Sequence, residues 1–309
     1  MRRALRVALP ALLAPLALGA LGGCAVDEED PPELDETAYI SLNALSPAAL
    51  LDNGDGLHAL AGAALDGATT RLVDSDEGRM LLSYVARCAL RTGDKATFPR
   101  SGGPALVYPG LVGIAQGWKH GALDGAGQRL MTACLMAHVN ATGTEVPISV
   151  RSARLREPPL TEKLLFPAQE MSVYGNVFGP ACDRELFVCF GRAVAQSLGG
   201  NGGLGAALGL PTYLDFRMCS VSDNCGFHRV GACYRWPQQP DVKKSACEVQ
   251  SGNLYKKCHE APIQDGSTPS WSDTVSVYLQ PADEALLIAE YVDLICELSG
   301  GQICGLLGQ

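Results

Sequence analysis

Alternation of apolar and polar positions marks the clearest strands in the chain. Val146, Ile148 and Val150 point one way and Ser149 and Arg151 the other, which predicts a half-buried strand over 146–151. Val275, Val277 and Leu279 alternate in the same way with Ser276 and Tyr278. The apolar run Leu186, Phe187, Val188, Cys189 and Phe190 is a third candidate. Helical spacing joins Leu81, Val85, Cys88 and Ala89, behind Asp74 and Glu77, which sit three apart like a capping box. A second helix is predicted from Asp124 to about Asn140, with Leu130, Cys134 and Ala137 on one face and Asn140 and Gly143 as stops. Pro281 opens a third, with the stripe Leu287, Tyr291, Leu294 and Leu298, ended by Gly300 and Gly301.

Helices come first and last, strands lie between them, and no regular βαβ alternation appears. The fold class expected is therefore α+β: a helical N-terminal part, a cysteine-rich mixed strand and loop part, and a closing C-terminal helix. Residues 93–122, with their Gly, Pro and Trp118, predict an irregular loop, and the glycine-rich 199–209 a flexible break. In 41–70, rich in Ala, Leu and Gly, Leu45, Leu50, Leu60 and Leu65 stand at multiples of five. Pentapeptide repeats share that spacing, and plain Ala/Leu bias produces it as well. Asp52-Asn53-Gly54-Asp55-Gly56 reads as a turn and lacks the ligand spacing of an EF-hand loop.

Composition narrows the class. Of 309 residues 47% are hydrophobic, which excludes a wholly disordered chain, while 6% aromatics leave the core to Leu, Val and Ala. Arg2, Arg3 and Arg6 carry the only charges of the first 23 residues; beyond them stand 21 basic and 33 acidic residues, a net of −12. That balance disfavours nucleic acid as a partner.

The N-terminus MRRALRVALPALLAPLALGALGGC has a basic front, an apolar middle from Val7 to Leu21, and small residues after it, the pattern of an export signal. With Pro10 and Pro15 inside it, the apolar stretch is short and broken for a membrane span. Leu21-Gly22-Gly23-Cys24 resembles the lipobox of bacterial lipoproteins. The resemblance implies a signal peptide over 1–23 and a lipid on Cys24, hence attachment to a membrane. Ala25, where an Asp would retain many such proteins at the inner membrane, implies the outer membrane and a cell-envelope location. Seven of the ten residues 27–36 are acidic, around Pro31 and Pro32, so 24–40 is expected to be an extended acidic tether. A globular domain is expected over 71–309.

Twelve cysteines give the body its second signature. With Cys24 lipidated, eleven remain: Cys88, Cys134, Cys182, Cys189, Cys219, Cys225, Cys233, Cys247, Cys258, Cys296 and Cys304. In an exported chain this density predicts a disulfide framework, and an odd number leaves one thiol over. Cys88–Cys134 and Cys296–Cys304 are the expected local pairs; spacing does not pair the rest. No C-x-x-C occurs, and Cys225 with His228 and Cys258 with His259 are half-sites, so no metal and no cofactor is expected.

Ala195-Gln196-Ser197-Leu198-Gly199 resembles the nucleophile elbow of lipases and esterases, with Ala in place of the first Gly. That resemblance implies a secreted serine hydrolase using Ser197, with His228 or His259 downstream and Asp215, Asp223 or Asp241 as orienter. Arg192 and the following glycines depart from the pattern, and a surface loop is the competing reading. Gly200, Gly202 and Gly205 fit G-x-G-x-x-G but lack the flanking strand and helix a dinucleotide site needs. His138, four after Cys134, reads as a helix-face residue. Trp118, Trp236, Trp271, Tyr234 and Tyr255 suit either stacking on a glycan or packing over disulfides.

The stretches LLSYVARCAL (81–90), LMTACLMAHVNATGTEVPISVR (130–151), YGNVF (174–178), YKKCH (255–259) and SDTVSVYL (272–279) resemble a group of uncharacterised cysteine-rich exported proteins of myxobacteria. That resemblance implies a cysteine-braced body behind an export signal and carries no activity. The expectation is a lipid-anchored envelope protein acting as a surface binding or structural module, with a glycan or an envelope protein as partner; the alternative is the hydrolase.

Overall fold

The computed structural model describes residues 40–191, 193–194, 198, 210–219, 225–233, 247–251, 254–259, 270–271, 273–301 and 304; of 247–271 it describes the backbone alone. The fold is α+β. A six-stranded sheet has the order β1-β4-β11-β5-β6-β7, from Ile40–Leu42 (β1), Pro147–Ser152 (β4), Val275–Leu279 (β11), Ala168–Gly175 (β5), Leu186–Phe190 (β6) and Phe227–Ala232 (β7). All neighbours run antiparallel except β6 and β7. A hairpin joins Lys95–Phe98 (β2) to Leu106–Pro109 (β3). Cys247–Ser251 (β8), Leu254–His259 (β9) and Ser270–Trp271 (β10) make a three-stranded sheet, in which Cys247 and Cys258 occupy facing positions.

The predicted helices form where their periodicity places them. Asp76–Ala89 (α3) buries Leu81, Val85, Cys88 and Ala89, but its N-cap is Ser75, whose side chain accepts from Gly78 N at 3.0 Å, not Asp74. Asp74 belongs to the 3-10 turn Arg71–Asp74 before it. Asp124 caps Gly125–Ala137 (α4) through Gly127 N at 2.6 Å; the helix stops at His138, two residues short of Asn140. Pro281–Leu298 (α7) starts on its proline and buries Leu287, Tyr291, Ile295 and Cys296. Leu298, assigned to its stripe, faces out instead.

The Ala/Leu/Gly stretch supplies β1 and the helices Pro47–Leu51 (α1) and Gly54–Ala61 (α2). Leu45, Leu50, Leu60 and Leu65 are buried in the common core, from helices and turns and not from a coil of five-residue sides. The expected loop 93–122 holds the β2–β3 hairpin and a 3-10 turn, with Trp118 buried edge-on to Phe178 and its Nε1 donating to Ala63 O at 3.0 Å. Trp118 is thus a packing residue and offers no face to a sugar.

One face of the large sheet carries Ile148, Val150, Met171, Val173, Val188, Val275, Val277 and Leu279 into a core shared with α3, α4, α7 and Tyr213–Cys219 (α6). The opposite face is polar near β4 and β11 and apolar near β6, where Tyr174, Phe187, Cys189, Val230 and Cys233 cluster. Ser149 and Arg151 lie on this opposite face, yet both are buried, because Leu160–Leu165 (α5) and Phe166 cover them. At the β5–β6 end, Gly175 has φ +144° and a Cβ there would sit 2.2 Å from Glu185 O, so glycine is required.

Disulfides join Cys88–Cys134, Cys189–Cys233, Cys219–Cys225 and Cys296–Cys304, and Cys182 keeps a free, exposed thiol. The side chains of Cys247 and Cys258 lie outside the described residues. In the loop-closure view, bridges 46 and 44 residues long contribute about 4 kcal/mol each, and those of 6 and 8 residues about 2 kcal/mol.

Candidate functional site

Three buried polar clusters and one outward apolar helix are the features from which a site must be built. Ser197, the Gly200–Gly202–Gly205 motif, Asp223 and Asp241 lie outside the described residues, as does the His259 side chain. The strand expected before Ser197 is β6, which pairs with β5 and β7. His228, on β7, is exposed and its ring lies 5.3 Å from that of Phe187. Asp215 is engaged elsewhere: its Oδ2 accepts from Thr212 N at 2.6 Å, from Thr212 Oγ1 at 2.8 Å and from Arg229 Nη1. It anchors the start of α6 and does not orient a histidine. Among the described residues no hydrogen bond joins a serine hydroxyl to a histidine.

The Cys88–Cys134 bridge ties α3 to α4 in the core, and His138 stands beside it. His138 Nδ1–H donates to Cys134 O at 2.8 Å, with Cys88 Sγ 3.9 Å from the same nitrogen. Nε2 has no partner among the described residues. Burial, opposed by the bond to Cys134 and aided by Arg87 and Arg217, pushes the pKa of His138 down to about 4. These three side chains are the one group among the described residues with the donors and spacing of a metal site. The sulfurs are bonded to each other, so neither thiolate is available to a cation.

A second cluster joins β5 to α6. Register shifts between Val277 and Tyr278, so that Tyr278 faces Gln169 and Val277 faces Met171, and Glu170 is the extra residue of a β-bulge. The bulge lets Gln169 Nε2 donate to Ser172 Oγ at 3.2 Å across the polar face while Glu170 enters the core. There Glu170 Oε1 accepts from Tyr213 Oη and from Arg217 Nε, each at 2.8 Å, and Arg217 Nη1 donates to Val139 O. Both charged side chains are wholly buried. Glu170 Oε2 and Arg217 Nη2 have no partner among the described residues. Burial and the adjacent carboxylate hold the Tyr213 pKa well above its ordinary value, so its hydroxyl stays a donor. The spacing of Glu170, Tyr213 and Arg217 in sequence gives no sign of this cluster.

The third cluster lies under α5. Ser149 Oγ donates to Glu162 Oε1 at 2.6 Å and accepts from Arg151 Nε at 3.1 Å; Arg151 Nη2 donates to Phe166 O at 2.8 Å. The guanidinium stands 3.8 Å from the centre of the Tyr278 ring. Burial lowers the pKa of Arg151 from its ordinary value. Glu162 is 2% exposed, and α5 therefore presents its leucines to solvent: Leu160 is 69%, Leu164 70% and Leu165 55% exposed. A helix that buries its glutamate and exposes its leucines inverts the usual amphipathic order.

Chemically, the first two clusters are closed to solvent and serve as braces. The inverted α5 leaves three large apolar side chains in solvent, because Glu162 is bonded inward. No helix among the described residues is long and apolar enough to cross a membrane. No family model matches the chain, and neither a curated protein nor a solved structure is found similar to it.

Proposed function

We propose that the chain is an exported protein, held to a bilayer of the bacterial envelope by a lipid on Cys24, whose disulfide-braced body acts as a surface binding or structural module. The observation that carries this reading is the Cys88–Cys134 bridge, buried in the middle of the core between two helices. Bridges of that kind persist in oxidising compartments outside the cytosol. The basic and apolar N-terminus ending in Leu21-Gly22-Gly23-Cys24 supplies the route, and Ala25 points to the outer membrane. An envelope protein or a glycan is the partner class in this reading. Of the carboxylates that could orient a histidine in the hydrolase alternative, Asp215 is engaged with Thr212 and Arg229, and Asp223 and Asp241 lie outside the described residues.

Labelling of producing bacteria with palmitate tests it. Label enters the wild-type chain and not Cys24→Ala, and the wild-type chain fractionates with membranes. An unlabelled chain recovered from the soluble cytosol with reduced cysteines overturns the reading.

A further inference from the structure

We infer that α5 and the adjoining edge of the sheet are a docking surface for the lipid bilayer itself, an inference that rests on the anchored reading above. Leu160 and Leu164 stand four apart on one side of α5, followed by Leu165, all more than half exposed. Their outward direction is fixed from below, since Glu162 is hydrogen-bonded into the Ser149–Arg151 network. Ile40 pairs with Ser149 and Leu42 with Pro147, so both side chains share the sheet face that α5 covers. Leu42 is 47% exposed there. Apolar side chains of α5 and of the edge strand β1 thus stand over one face of the sheet.

Charge and chain length name the occupant. Arg154, Arg156 and Lys163 lie in the same short segment as the leucines; Lys163 pairs with Glu157, the exposed acid of that segment, and Arg154 shares the buried Asp273 with Arg129, so the segment keeps a net positive rim. Leucines beside basic side chains suit a bilayer surface with anionic headgroups, the cations staying at headgroup depth while the leucines enter. Fifteen residues separate Cys24 from Ile40, the first residue of β1. Fully extended they reach about 55 Å. The tether therefore enters the body at β1, the edge strand of the face that α5 covers, and a lipid on Cys24 holds that face near the bilayer at high effective concentration.

The test uses the lipidated full chain in vesicles of phosphatidylethanolamine and phosphatidylglycerol, and the mature chain with Cys24→Ser exported behind an ordinary signal peptide. Leu164→Trp is expected to be quenched by lipids brominated on their acyl chains, whereas Val107→Trp, on exposed β3, is not. In the unlipidated chain, each of Leu160→Ser and Leu164→Ser is expected to weaken vesicle partitioning about tenfold. If the lipidated chain floats with vesicles but Leu164→Trp is unquenched, docking is overturned and the anchor stands. If the chain carries no lipid yet partitions in a leucine-dependent way, docking stands and the anchor falls. If the leucines instead drive a dimer in sedimentation without quenching, the bilayer is overturned as occupant and a second copy takes its place.

Discussion

Glu162 Oε1 lies 2.6 Å from Ser149 Oγ, beneath a helix whose leucines face solvent. The short bond is the hinge of the whole α5 arrangement: through Ser149 Oγ it couples the carboxylate to the buried Arg151, and it sets which side of the helix looks outward. Removing the carboxylate leaves Arg151 buried without its countercharge. Glu162→Ala is expected to lower unfolding free energy by about 3 kcal/mol, and Glu162→Gln by less, since the amide still accepts from Ser149. Denaturant unfolding of the oxidised protein measures both.

The Glu170–Arg217 pair follows the same logic at full burial. Arg217→Leu alone, which strands Glu170 beside Tyr213, is expected to cost about 3–5 kcal/mol. Adding Glu170→Met should recover much of that loss, because two apolar side chains need no solvation. A double-mutant cycle in denaturant reads the coupling; strictly additive losses would show that the two side chains do not depend on each other.

His138 gives the stability a pH dependence. Its folded pKa of about 4 lies below the unfolded value near 6.5, so between these values the unfolded chain binds more protons. Stability contributed by the neutral ring is complete above pH 6.5 and is lost as pH falls through that window, by up to about 3 kcal/mol. His138→Gln is expected to flatten the melting temperature against pH between 6.5 and 4, relative to wild type.

The long bridges should matter more than the short ones. Replacing both Cys88 and Cys134 by Ala is expected to cost about 4 kcal/mol, and replacing Cys296 and Cys304 about 2 kcal/mol. Thermal unfolding of the two double variants should rank them in that order.

Where periodicity and burial agree, the elements were legible in sequence: β11 and the buried turns of α3, α4 and α7 stand where alternation and helical spacing put them. So were the Cys88–Cys134 and Cys296–Cys304 pairs, each joining positions on or beside an apolar stripe. Three features defeat such reading for physical reasons. The bulge at Glu170 breaks the period of two, so the run Ala168–Gly175 does not look like a strand although it lies in the middle of the sheet. α5 reverses its polarity, so a pattern that expects leucines inward misses both the helix and the burial of Ser149 and Arg151 beneath it. α1 and α2 are short and rich in Ala and Gly, and their burial depends on packing against α3 and the 3-10 turn after them, a contact that composition does not encode.

Peptide mapping of the native protein under non-reducing conditions, by mass spectrometry, reads the anchor and the bridges in one experiment. The mature N-terminal peptide is expected to begin at an acylated Cys24, with bridged peptides for Cys88–Cys134, Cys189–Cys233, Cys219–Cys225 and Cys296–Cys304, and an alkylatable Cys182. An unmodified Cys24 within an uncut chain, with Cys88 and Cys134 recovered as thiols, would contradict the exported, anchored reading.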